Sequence, residues 1–171
     1  MIEAIQKRRS IRRYQDIEVE KEKIRELLLS AMCAPSGYHR NPWEFVVVKK
    51  QTTRETLSLA TNYASFVKES PVVIIIAADE SNSFRWIEDC SVAAAHIYLE
   101  ATNQGLGTCW VQVHGMQTPE GTDSEDYVRK IVNIPNDHRI LCMMSIGYPA
   151  EDLPEHDDKK YDPKKVHTEK W

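Results

Sequence analysis

Seven consecutive residues, Val72 to Ala78, are apolar, and from Val72 to Ala77 no polar residue alternates with them. A strand exposed on one face alternates apolar and polar side chains, so this run predicts a central strand covered on both faces. It is far short of the roughly 20 residues that a membrane-spanning helix needs. A sheet with helices on both sides follows. Ile24, Leu27, Leu28 and Ala31 fall at i, i+3, i+4 and i+7, one stripe of an amphipathic helix that should stop near Ala34, because Pro35 disfavours helical geometry before it. Thr52-Thr53-Arg54-Glu55 fits a capping box opening a second helix through Leu57 and Ala60. From Asp89, the residues Cys90, Val92, Ala93, Ala94, Ala95, Ile97, Leu99 and Ala101 leave almost no polar face before Gly105 ends the helix. Such a helix is expected to be buried all round. Its alanines admit a close helical neighbour, which a second subunit could supply. A helix from Ser124 to Val132 stops before Pro135, and a short one starting at Ile2 and Ile5 runs into arginines. Phe45 to Lys49, Thr108 to Val113 and Ile140 to Ile146 read as the remaining strands.

The 171 residues are 42% hydrophobic and 28% charged, without repeats or a linker, which predicts one globular domain over 1–171. Residues 150–171 are polar yet end in Val166-His167 and Trp171, so this tail is expected to wrap a partner subunit. A net charge of −4 argues against a broad nucleic-acid footprint. Residues 1–13 nevertheless hold Lys7, Arg8, Arg9, Arg12 and Arg13 against Glu3 alone, which suits a local anion site. Cys33, Cys90, Cys109 and Cys142 form no C-x-x-C pair, and there is no H-E-x-x-H spacing. They read as reduced thiols of a cytoplasmic protein with no metal. The N-terminus shows no signal-peptide apolar region, so export is not expected.

Arg8-Arg9-Ser10-Ile11-Arg12 offers guanidinium forks and a hydroxyl, a set suited to a phosphate and the polar edge of a heterocycle, or to a solvated basic turn. Ala34 to Trp43 combines two prolines, a glycine, two aromatics and His39 directly before a buried strand, which suits a loop that cradles a ligand. Gly105-Leu106-Gly107 lacks the third glycine of a dinucleotide fingerprint and runs helix to strand, so a Rossmann site is rejected. His96 and Cys109 read as packing residues, and no Gly-x-Ser-x-Gly elbow supports a nucleophilic triad.

In order, Arg8 to Arg12, Pro35-Ser36 to Asn41-Pro42-Trp43, Ser70 to Ile74, Gly105 to Trp110, Ile146 to Pro149 and Glu169-Lys170-Trp171 resemble the nitroreductase-like family of flavin oxidoreductases over nearly the whole chain. The resemblance implies an α+β fold with a central mixed sheet between helices, an intertwined homodimer, and FMN at each subunit interface. The phosphate and ribityl contacts would fall on Arg8, Arg9, Ser10 and Arg12, completed by a tail cation, Lys159 or Lys160. Pro35, Ser36, Gly37, Tyr38 and His39 would reach the flavin of the other subunit, with Asn41 close by. Trp110, Val111, Gln112 and Val113 would run along the ring, and Asn62 would meet its edge. The family often has Ser-Ser-x-Asn-x-Gln-Pro-Trp where this chain has Ser36-Gly37-Tyr38-His39-Arg40-Asn41-Pro42-Trp43, and only Gly115 to Asp123 stands where larger members carry substrate-covering structure. The implied activity is NADH or NADPH oxidation by a ping-pong route with small electron-poor acceptors, namely nitroaromatics, quinones or flavins. The alternatives are a specialised flavin dehydrogenase or dehalogenase, or a flavin-binding protein with negligible turnover.

Overall fold

The computed structural model describes the backbone of residues 1–171 and every side chain except that of Asp158. Four strands, β1 (Trp43–Val48), β2 (Val72–Asp79), β3 (Gly107–Gln112) and β4 (His138–Gly147), form one sheet in the order β1-β2-β4-β3. All three strand pairs are antiparallel. Parallel pairing, which makes the sheet mixed, enters where Ser10 bridges Thr108 at the outer edge of β3.

The long apolar run behaves as its pattern demands. Every residue from Val72 to Ala78 is buried, because alternate side chains enter two cores. Val72, Ile74, Ile76 and Ala78 pack with Ile24, Leu27 and Ala31 of α2 (Lys21–Met32) and with Cys90, Ala93, Ala94 and Ile97 of α4 (Trp86–Asn103). Val73, Ile75 and Ala77 pack with Leu57 of α3 (Gln51–Leu57) and Val128 of α5 (Ser124–Val132) on the other face. The short α1 (Glu3–Lys7) lies beside α4.

Several boundaries differ from expectation for local reasons. The capping box does not form: α3 begins at Gln51 and makes no side-chain cap. Its Arg54 is instead drawn under the helix, donating to the carbonyls of Lys49, Lys68 and Ser70, which leaves Thr52 inside the first turn. Similarly, α4 starts at Trp86 rather than Asp89, after a turn in which the Ser83 hydroxyl accepts the Arg85 N–H and donates to Asp89. Nor is α4 buried all round within one chain, since Ile87 and Ala95 are exposed. At its other end, Leu106 N–H donates to Ala101 O (2.8 Å) and Gly105 N–H to Thr102 O (3.1 Å), a Schellman closure with Gly105 at φ 72°. Gly107 is needed for a different reason. A Cβ there would meet Ile11 at 2.7 Å, where the N-terminal segment crosses the sheet edge. The two glycines thus shape a helix stop and a close crossing, not a phosphate loop. Burial pushes the Cys90 thiol up to about 12 and also raises those of Cys109 and Cys142, which makes all three unreactive packing groups. No described helix is long and apolar enough to cross a membrane.

Candidate functional site

The edge strand β3 presents main-chain groups to whatever lies beyond the sheet. In an antiparallel pair, alternate residues point N–H and C=O away from the partner strand. Thr108 uses its outward C=O to accept Ile11 N–H (3.1 Å), and Trp110 uses its outward N–H to donate to the Tyr98 hydroxyl (2.7 Å). The next outward groups are Trp110 C=O and Gln112 N–H. They face a cleft of about 560 Å³ lined by Arg12, Asn62, Phe66, Trp110, Val111 and Gln112, among others. Arg12 enters from the N-terminal segment, with its guanidinium 5.7 Å above the Phe66 ring and donating to Ser10 O at 3.3 Å. A cation beside this strand edge suits a planar heterocycle with carbonyl and N–H groups on its rim.

Beside that cleft, Arg8 lies 5.1 Å over the ring of Tyr98 in α4, and Ser10 Oγ is 3.5 Å from the same hydroxyl. None of Arg8, Arg9 and Arg12 is paired with a carboxylate among the described residues. Thr108 Oγ1, buried under the Ser10 bridge, has no hydrogen-bond partner. Arg9 donates to Pro154 O and so anchors the tail. Glu151 caps the other end of this segment, accepting from the main-chain N–H of Arg12 (2.6 Å) and Arg13 (3.1 Å).

The loop from Pro35 to Asn41 stands apart from this cleft. Tyr38, His39 and Asn41 all adopt positive φ, between 46° and 56°, so the loop needs external anchors. Asp89 supplies the main one. Its Oδ1 accepts Gly37 N–H (2.8 Å) while Oδ2 accepts the Ser83 hydroxyl (2.8 Å). Ser36 Oγ closes the turn, donating to Asn41 Oδ1 (2.7 Å) and accepting Asn41 N–H (3.0 Å). Tyr38 is 83% exposed, directed away from its own core. Gly37 and Tyr38 line a different cleft, with Phe84 and Arg85.

The structure therefore gathers Arg12, Asn62, Trp110, Val111 and Gln112 in one cleft, with Arg8, Arg9 and Ser10 on the adjoining segment. Val113 follows β3, and its N–H turns back to Leu141 O (3.1 Å). Pro35 to Asn41 belong to a second surface. Lys159 and Lys160 lie in an exposed turn, where Lys159 reaches Asp157 at 4.0 Å. Sequence reasoning missed Tyr98, Phe66 and Asp89. Tyr98 sits one turn before Thr102 on a helix read only for its apolar residues, and Asp89 was read as a helix start.

The segment after β3 is tied to α5 and β4. Glu125, at the start of α5, accepts two hydrogen bonds from Arg139 (2.8 and 3.0 Å), one from Ile140 N–H (2.9 Å) and one from His114 (2.7 Å). Burial works to raise its carboxyl, but these partners outweigh burial and lower it to about 2.

A sheet sandwiched between helices, with a cationic cleft on an edge strand and a separate anchored loop, defines an α+β fold whose site lies on the surface of the sheet rather than in a phosphate loop. The sequence profile of the nitroreductase family matches residues 5–62 and 53–148, and the chain belongs to that family. A Methanothermobacter thermautotrophicus protein, whose name of NADH dehydrogenase/NAD(P)H nitroreductase is itself provisional, is 38% identical over 100% of this chain and 87% of its own length. A Clostridium difficile structure described as an FMN-dependent nitroreductase is 39% identical, covers 100% of both chains and superposes with a TM-score of 0.97. Mouse iodotyrosine deiodinase 1 is 27% identical over 92% of this chain, which spans 65% of that relative.

Proposed function

We propose that the protein is a cytoplasmic, FMN-dependent NAD(P)H oxidoreductase that acts as a homodimer and passes electrons in a ping-pong cycle to nitroaromatics, quinones or free flavin. The observation that carries this reading is the cleft in which Arg12 and Asn62 meet the Trp110–Gln112 edge of β3 beside arginines free of carboxylates. These residues fit FMN. Arg8 and Ser10 suit a phosphate, and Gln112 N–H and Trp110 C=O suit the rim of the ring. FMN supplies the redox chemistry when bound. The protein binds and orients it, and Arg12 supplies positive charge where the rim gains electron density. One exposed face must serve donor and acceptor in turn.

The dimer is inferred from apolar surface. Ile2, Ile5, Leu29, Met32 and Ile87 are all more than 40% exposed on α1, α2 and α4 or beside them, and Ala95 and Leu99 continue the stripe along α4. A second copy laid on this face would bury it. Cyclic symmetry then makes two equivalent sites. The tail beyond His156, with Trp171 fully exposed and stacked 4.2 Å from His167, is available to clasp the partner.

Heat release followed by chromatography should identify FMN. FAD, or no flavin after reconstitution, contradicts the proposal. NAD(P)H oxidation with varied acceptor should give parallel double-reciprocal plots, whereas intersecting lines require both substrates to bind together. The deiodinase relatives favour dehalogenation as the second reading. Iodide release from iodotyrosine outpacing reduction of quinones and nitroaromatics selects it. Bound flavin with negligible oxidation of either donor selects a flavin-binding role.

A further inference from the structure

The tail places a histidine, not a lysine, against the anion site. Three hydrogen bonds fix the segment from Pro154 to His156 on the N-terminal segment: Arg9 donates to Pro154 O, Gln6 Nε2 donates to Glu155 Oε2 (3.0 Å), and His156 N–H donates to Gln6 O (2.9 Å). Together they set the His156 ring beside Arg8, with Nε2 3.3 Å from the guanidinium Nη2. A guanidinium has only donors and keeps its charge in proteins. Nε2 can therefore only accept in this contact. Protonated, the ring would set two like charges in contact.

An anion reverses that balance. A phosphate on the Arg8 and His156 pair accepts from both, and the imidazolium then adds a charge-assisted bond. The groups facing His156 are few. Arg8, itself over Tyr98 of α4, comes from the end of α1; Glu155, held by Gln6, and Asp157 flank His156 in sequence, with Lys159 directed to Asp157. No carboxylate hydrogen-bonds His156 among the described residues.

We propose that His156 is the second cation of the flavin phosphate site, and that FMN binding is coupled to uptake of one proton by its imidazole. The inference rests on the FMN reading above. It assigns to His156 the role first expected of Lys159 or Lys160, and it makes cofactor retention depend on pH. The dependence has a definite sign: proton uptake on binding means that affinity falls as pH rises, by at most tenfold per pH unit for one proton.

Holoprotein is diluted serially at pH 6.5, 7.5 and 8.5, and released FMN is followed by its fluorescence. The wild type should lose affinity by about tenfold across the range, a change that one histidine titrating in this region can produce. His156→Gln should bind more weakly at pH 6.5 and converge on the wild type at pH 8.5. The ratio of the two cancels the phosphate's own ionisation. Riboflavin, which lacks the phosphate, should show no such convergence. Lys159→Ala and Lys160→Ala should stay within about twofold of the wild type, as expected for exposed charges. A His156→Gln to wild-type ratio that is flat with pH, or a larger loss from either lysine variant, overturns the assignment while leaving FMN binding intact. Protein without flavin at every pH overturns this inference together with the FMN reading.

Discussion

The two halves of the candidate site are held by different physics. The Arg12 half rests on a strand edge, where sheet pairing fixes which N–H and C=O groups point outward. The Pro35–Asn41 half is an irregular loop with three non-glycine residues in the left-handed region, and the buried carboxylate of Asp89 is its main anchor. One half is a by-product of folding the core, whereas the other is a local conformation that separate contacts must hold. The strand edge sits beside its own arginines. The loop projects Tyr38 outward.

The largest expected effect comes from separating the halves. Ala95→Glu places a charge in the apolar stripe of α4, where burial of an unpaired carboxylate costs several kcal/mol. Light scattering should show a monomer, with FMN affinity reduced by about 100-fold or more, since 2.7 kcal/mol already corresponds to that factor. A monomer that retains flavin fully would show that the strand half suffices alone.

Acid should act on the Glu125 network that ties α5 to β4 and to His114 beyond the strand half. The folded-state carboxyl of Glu125 is lowered from 4.5 to about 2, so its contribution is fully present above pH 4.5 and lost as pH falls toward 2. That difference corresponds to roughly 3 kcal/mol. Chemical denaturation at pH 6 and pH 3 should show a smaller stability loss in Glu125→Gln than in the wild type. Equal losses would mean that the network joining α5, β4 and His114 does not govern acid stability.

Releasing the loop should come next. Asp89→Ala removes two hydrogen bonds to a carboxylate, each worth roughly 1.5 to 3 kcal/mol. FMN affinity should fall about 10- to 100-fold with the dimer intact. The smallest effect sharpens the strand half. Arg12→Ala, reconstituted with excess FMN, should lower the flavin potential by roughly 30 to 60 mV, the two-electron equivalent of one charged hydrogen bond. Arg8→Ala should move it much less, because phosphate charge does not change on reduction. An unchanged Arg12→Ala potential would remove Arg12 from the ring.

The same contrast explains what could be read from sequence. The run from Val72 to Ala78 and the bounds of α5 from Ser124 to Val132 were legible because burial pattern and a following proline determine them locally. The strand half was legible too, since Arg12 and Trp110 to Gln112 lie in short recognisable segments. The loop's backbone was not, because positive φ at Tyr38, His39 and Asn41 depends on Asp89, some fifty residues away. The missing capping box has the same cause, as the pull on Arg54 comes from the carbonyls of Lys68 and Ser70. His156 carried no local signal. Its place follows from the chain returning along residues 6–13, where Ala150 N–H donates to Arg13 O.

Mixed dimers test the shared site most directly. One chain carries Arg8→Ala and Arg12→Ala, which damages only its strand half, and the other carries Asp89→Ala, which damages only its loop half. Each homodimer has two damaged sites. If each site joins the strand half of one chain to the loop half of the other, the mixed dimer contains one intact site and one doubly damaged site. Flavin titration should then give one FMN per dimer at wild-type affinity. If both halves of a site came from the same chain, no intact site would form, and the absence of any wild-type binding in purified mixed dimers would contradict the account.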